Sequence, residues 1–421
     1  MTDRTVPSDP ARRVDPREPV LAGVTVVDLS QYLAGPTCTR MLVELGADVI
    51  KIEVPPYGDP GRSFAPRKNQ RAGFHVQQNR GKRSVCVDLG TVEGVEVVRR
   101  LIAKADIVVE NFSPGVMARK GLSYDELSAD HPGLIMVSIS GFGQTGPLAS
   151  KPAFDFIAQA YSGIMHMTGE TDGPPLFVGI GLADSNAGVH AFAAIGHALF
   201  RRERTGRGTH LDISMVDSLV HMHETAVYAP SITDGAYEPI RQGRFYQPAQ
   251  PGGVYRGPQG WIVIFCTQGQ LGNLWTAMGH PEFATDPRFD NNEARLANRD
   301  ALTDEIETWL ASFESDAAAL AVLDEHRVPA SRVNSPADLA ASDHLRFRGS
   351  MRTVHDPRLG SVDTPGFPLV FAGDDAPRVM ADDVVAPNLG QHNREVLAMA
   401  GYNDDEIEAL EAAGTLGSKD R

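Results

Sequence analysis

The chain has 421 residues and a formal charge of −15 at pH 7, with 42% hydrophobic and 22% charged residues, 41 Gly and 29 Pro. That length allows about two or three domains, and the composition is that of a loop-rich globular protein. The acidic balance excludes a broad polyanion-binding face, so nucleic acid is not an expected partner, although a few Arg and a helix N-terminus can still hold one small anion.

Residues 1–20 read as a polar, Pro-containing tail without an apolar signal region. The stretch "GVTVVDLSQYLAGPTCTRMLVELGADVIKIEV" predicts strand, loop, helix, strand: a β-branched run to Leu29, a Gly-Pro helix start, then "DVIKIEV". A second unit follows, with "SVCVDL" as strand, "TVEGVEVVRRLIAKA" as helix, "DIVVENF" as strand and "LIMVSISGF" as another strand. Alternation of this kind predicts a parallel sheet covered by helices. A helix is expected from Ala183 to about Phe200, then a strand at "THLDISM" and a helix near 216–228.

Residues 229–260 are dense in Pro and Gly; "WIVIFC" resumes as a strand, and helices follow between about 270 and 327. Short strand candidates, "GSMRTVHDP" and "FPLVF", precede two closing helices, "NREVLAMAG" and "DDEIEALEAAG". The fold class is therefore α/β: a large domain over 21–228 with a parallel, helix-covered sheet and a smaller α+β domain over 229–334, linkers included. Periodicity alone leaves open whether the last segment joins the first domain.

Cys38, Cys86 and Cys266 are far apart, odd in number and without CxxC spacing, so neither a disulfide framework nor a metal cluster is expected and a reducing cytoplasm fits. No apolar run approaches the roughly 18 residues of a membrane span, so no membrane is expected. "GFGQTG" at 141–146 matches a dinucleotide fingerprint in letters only, because Pro147 and Pro152 follow where a helix should open. The histidines of "HMHE", two residues apart, lack the i, i+4 spacing of a zinc helix.

Asp184, in "GIGLADSNAG", stands at the start of a long apolar helix. It can cap that helix, or it can carry chemistry: Gly179 and Gly181 let a ligand approach the backbone, and a helix N-terminus favours anionic species. Both readings stay open on the local sequence.

Ordered blocks over nearly all of 21–400 resemble the class III CoA-transferases, the family of formyl-CoA transferase that also contains α-methylacyl-CoA racemase. They include "LAGVTVVDLSQYLAGP", "NRGKRSVCVDL", "ADIVVENFSPGVMARKGL", "GIGLADSNAG", "RRERTGRGTHLDISM" and "APNLGQHNREVL". The resemblance implies an acyl-CoA:carboxylate CoA-transferase with Asp184 as nucleophile, coenzyme A entering as an acyl-CoA cosubstrate, a small carboxylic acid as the other partner and no metal. It also implies an interlocked homodimer, with a large Rossmann-like domain completed by the C-terminal segment 335–421.

By the same resemblance Tyr32, Leu33 and Ala34 lie by the pantetheine and thioester, Val87 and Asp88 line the adenine side, and Asn111, Phe112 and Arg119 contact the cofactor. Gly252 and Gly253 match part of a glycine-rich loop over the aspartate in a shortened form; a simple turn is the other reading. Asp155 can orient the acceptor or cap its own helix.

Two departures bear on activity. Leu33 and Val54 replace a glutamine and an arginine of formyl-CoA transferase, which points away from formate and oxalate. Phe154 replaces the histidine of the racemase acid/base pair, and a phenyl ring moves no proton. A racemase-like isomerase, a catalytically silent CoA-binding protein and an NAD enzyme are the competing readings. Arg241 and Arg244 suit a dicarboxylate or are solvated.

Overall fold

The structure, a computed structural model, describes residues 15–246 and 248–418; the tail expected over 1–20 lies, through residue 14, outside the described residues. Contacts divide the chain into two units. One runs through Ser162, resumes over Gly179–Glu224 and takes the described chain from Asp343 onward; the other holds Gly163–Val178 and Thr225–Ser342. The excursion Gly163–Val178 leaves the stretch read as one large domain from sequence.

The first unit is built on six parallel strands: β1 (Thr25–Asp28), β2 (Asp48–Glu53), β3 (Arg83–Cys86), β4 (Ile107–Glu110), β5 (Ile135–Ser140) and β6 (Thr209–Ser214). They lie in the order β3-β2-β1-β4-β5-β6, the doubly wound order in which β1 and β4 part to open a crevice at their carboxyl ends. Strands β4 and β5 are buried at every residue, which is why their sequences read as unbroken apolar runs.

Helix α1 (Ala34–Glu44) connects β1 to β2, and the helix Val92–Ile102 connects β3 to β4, its Thr91 hydroxyl accepting from the Gly94 N–H. The long helix α2 (Leu182–Thr205) packs on α1. Their axes come close because Gly188 has no side chain: a Cβ there would stand 2.6 Å from the Ala34 carbonyl oxygen.

The closing segment docks on the β3 side. The Gly417 N–H donates to the Cys86 carbonyl, and Asn393 Oδ1 accepts from the Cys86 N–H, while Val396, Leu397, Ile407, Leu410 and Leu416 join the core under the sheet. The predicted strand "FPLVF" does not form; Met351–Asp356 pairs instead with Gly360–Pro365, and Phe367–Phe371 is irregular. The helix near 216–228 stops at Val220.

The second unit has its own core around Tyr255, Trp275 and Phe289. Its sheet orders Ala330–Arg332, Trp261–Phe265 and Gly252–Arg256 side by side, antiparallel.

Candidate active site

Beneath the switch-point crevice, charged side chains are buried where the sequence reads as apolar strand. Asp28 ends β1 with no exposed surface; burial alone would raise its carboxyl, but the Lys82 and Lys51 ammonium groups outweigh that and hold it down at about 2. Lys82 Nζ lies 3.0 Å from Asp28 Oδ2, and Lys51 Nζ lies 2.9 Å from Asp59 Oδ2 and donates to the Ser30 carbonyl at 2.8 Å. Asp59 Oδ1 accepts in turn from the Tyr32 N–H at 3.2 Å. Tyr32 needs such a hold, since its φ of 63° is one that a side-chain-bearing residue rarely adopts.

The crevice is lined by residues that include Leu29, Gln31, Val54, Asp59, Leu89 and Phe112. Asn111 clasps it: its Oδ1 accepts from the Gln31 N–H and its amide donates to the Gln31 carbonyl, at 2.8 and 2.7 Å. The β1 and β4 loops are thereby tied across the switch point. Glu110 is buried directly below, and burial pushes its carboxyl up to about 7; sequence reading missed it because it sits inside the apolar strand "DIVVENF".

Of the expected crevice residues, Tyr32, Leu33 and Ala34 form the turn into α1, with Leu33 at its cap and Ala34 buried at its first position. No side chain caps this helix. Asp88 is half-buried and folds its Oδ1 onto the Gly90 N–H at 2.7 Å. Val87 has no exposed surface and bridges to Leu416 within the core, while Leu89, two residues on, lines the crevice. Arg119, exposed at the end of a one-turn helix, makes no ion pair within the described chain.

Asp184 is in the third position of α2, not at its cap; the cap is Gly181, and Asp184 caps nothing. The capping carboxylate comes from elsewhere. Asp155 Oδ1 accepts the Asp184 N–H at 3.0 Å, and Asp155 Oδ2 accepts from Gln159 Nε2 at 2.6 Å. Gln159, fully buried, also reaches the Ile180 carbonyl at 3.3 Å. Asp155 therefore does not cap its own helix, Asp155–Tyr161, whose cap is Phe154.

This clamp satisfies an orphan donor of α2 and leaves the Asp184 carboxyl uncommitted. Burial pushes that carboxyl up to about 7, and the neighbouring Asp155 charge adds to the rise. Gln159 escaped sequence reading because, four residues after Asp155, it resembles any helix-face pair.

The surroundings are apolar. Leu33 packs on Gly181, where a Cβ would lie 2.5 Å from Leu33 Cδ2. Phe154, 69% exposed, meets Tyr32 edge-on with ring centres 6.0 Å apart, and Phe64 joins Tyr32 to Phe74 at 6.1 and 5.0 Å.

Gly252 and Gly253 lie in the second unit as strand residues paired with Phe265 and Ile264, not in a turn. A Cβ at Gly253 would strike Phe245 at 2.7 Å, and one at Gly252 the Ala249 carbonyl at the same distance, so packing in their own sheet accounts for both. Arg241 donates to the His166 carbonyl, and Arg244 pairs with Glu307 at 2.5 Å. Neither is a solvated linker charge. Among the described residues no group of three or more His, Cys, Asp and Glu could hold a metal ion.

A doubly wound sheet with a crevice at its switch point is the α/β class in which ligands bind at the carboxyl ends of the strands. Comparison with known proteins gives the family. CoA-transferase family III matches residues 21–393. The succinyl-CoA–D-citramalate CoA-transferase of Chloroflexus aurantiacus is 37% identical over 93% of this chain and 97% of its own. The acetyl-CoA:oxalate CoA-transferase of Acetobacter aceti is 40% identical over 84% and 90%. A crystal structure of a CAIB/BAIF family protein from Brucella suis superposes with a TM-score of 0.79 at 36% identity, covering 91% of this chain and all of that one. The chain belongs to the class III CoA-transferases and is an enzyme of that kind.

Proposed function

We propose that the protein transfers CoA from an acyl-CoA donor to a carboxylic acid through covalent intermediates on Asp184. The observation that carries this is the clamp: Asp155 takes the capping duty at 3.0 Å and leaves the Asp184 carboxyl free. As carboxylate, Asp184 attacks the thioester carbonyl of the donor and expels CoA thiolate, giving a mixed anhydride. The thiolate attacks the aspartyl carbonyl, the donor acid leaves as carboxylate, and an aspartyl-CoA thioester remains. An acceptor carboxylate runs the same two steps in reverse, so no ATP is consumed.

Leu33, Phe154 and Tyr32 offer apolar surface beside the carboxyl on which the acyl and pantetheine groups can pack. The N-terminal ends of α1 and α2 favour the anions formed. CoA is proposed to follow the switch-point crevice, with Phe112 and Asn111 at its wall, Asp88 toward the adenine and Arg119, whose guanidinium suits a phosphate, at its rim. The relatives named above act on succinyl-CoA with citramalate and on acetyl-CoA with oxalate, and small dicarboxylic acids are the acceptors to try first. Phe154 in place of a proton-carrying histidine weighs against racemisation.

The test is a matrix of acyl-CoA donors and carboxylic acids, read by chromatography of the new CoA ester. Transfer that vanishes in Asp184→Asn supports the reading. Transfer that survives in that variant, or exchange of the acyl α-proton for deuterium with no transfer from any donor, defeats it.

A further inference from the structure

A second pocket opens in the first unit next to the crevice, joined to it through Arg62, which pairs with the crevice-lining Glu53. Its lining includes Arg62, Arg67, Gln70, Arg71, His75 and Arg358, and no carboxylate. Of these, His75 is 1% exposed and its Nε2 has no hydrogen-bond partner among the described residues.

The state of that nitrogen follows from its neighbours. Lys82 Nζ, which can only donate, lies 2.9 Å from Asn79 Oδ1 and so fixes which end of that amide is oxygen. Asn79 Nδ2 must then donate, and it lies 3.1 Å from His75 Nδ1 and 3.2 Å from the His75 carbonyl. His75 Nδ1 is therefore the acceptor and Nε2 carries the hydrogen. Burial and the nearby Arg62 and Arg71 charges hold the ring well below its ordinary pKa, consistent with a neutral imidazole of that tautomer. A buried N–H without an acceptor is costly.

The walls repeat the pattern. Arg62 is committed to Glu53 at 2.7 Å and Arg71 to Asp356 at 2.9 Å, but the guanidinium groups of Arg67 and Arg358 make no hydrogen bond or ion pair within the described chain. The mouth is built to hold its shape. Gln70 follows Asn69 with both in the left-handed region, at φ 58° and 49°, and Asn69 Nδ2 latches that turn to the Arg358 carbonyl at 2.7 Å. Donors converge here from two distant parts of the chain and the acceptor is missing.

We propose that this pocket is a binding site for a small oxyanion, a phosphoryl or carboxylate group that accepts from His75 Nε2–H and is held by Arg67 and Arg358. The inference does not use Asp184 or the transfer reaction. It is tested by calorimetric titration of the full chain, kept saturated with CoA at constant ionic strength, with inorganic phosphate and acetate. Saturable binding of at least one is expected, weakened about tenfold or more by Arg358→Gln. Phosphate binding without acetate assigns a phosphoryl ligand; acetate alone assigns a carboxylate. His75→Phe should abolish binding, and where that variant fails to fold Arg358→Gln and Arg67→Gln carry the test. No saturable binding of any probe, or binding that ignores both arginine substitutions, overturns the proposal.

Discussion

At the scale of single residues, the account turns on two carboxylates with divided duties. Desolvation of the half-buried Asp184 carboxyl pushes it up to about 7, with Asp155 adding like charge, and in the proposed mechanism only its ionised form attacks the thioester. The acid limb of kcat/KM should therefore rise through about pH 7, and Asp155→Asn should move it to lower pH. A limb near the ordinary aspartate value in the wild-type chain would contradict this. The sign for stability is opposite. A carboxyl whose folded pKa is raised binds a proton in the native state that the unfolded chain has released, so stability falls as pH climbs from about 4 to about 7. Asp184→Asn should accordingly be more stable than the wild type at pH 8, on the order of 1–3 kcal/mol by denaturant unfolding, and inactive. Gln159→Leu strips the second donor from Asp155; kcat should fall while KM for the acyl-CoA holds, a split that separates a positioning residue from a binding one.

At the scale of elements, the α1–α2 crossing is a close contact that sets the site. Gly188→Ala places a methyl 2.6 Å from the Ala34 carbonyl oxygen and should cost about 1–3 kcal/mol, seen as a lower melting temperature with reduced turnover. Gly272→Ala, where a Cβ meets open space in a helix of the other unit, should instead be neutral or stabilising by up to about 1 kcal/mol. The strands around these helices were legible in the sequence because parallel strands buried on both faces are apolar runs bounded by turns. "FPLVF" misled for the same reason: an apolar run of five has no periodicity to distinguish a strand from a packed loop. Lys51 and Asp28 were illegible as a network, since their partners Asp59 and Lys82 are fixed by the turns between strands and not by any spacing. The clamp on Asp184 was hidden likewise, because Asp155 accepts from the Asp184 N–H across 29 residues of chain.

At the scale of the whole molecule, two units with separate cores share one chain that crosses between them more than once. The crossing at Gly163–Val178 could not be seen in advance, since contacts and not composition decide which core a short irregular stretch joins. The resemblance to interlocked homodimers leads us to expect a solution mass of twice 45.4 kDa by light scattering; a monomer that retains full activity would remove the dimer from the account. The central claim is the covalent role of Asp184, and it is tested most directly by trapping. The protein is incubated with a panel of acyl-CoAs, treated with hydroxylamine, and mapped by peptide mass spectrometry. The account predicts a hydroxamate, or the CoA adduct before treatment, on the peptide carrying Asp184. Turnover to a new CoA ester with no adduct at that residue would contradict it.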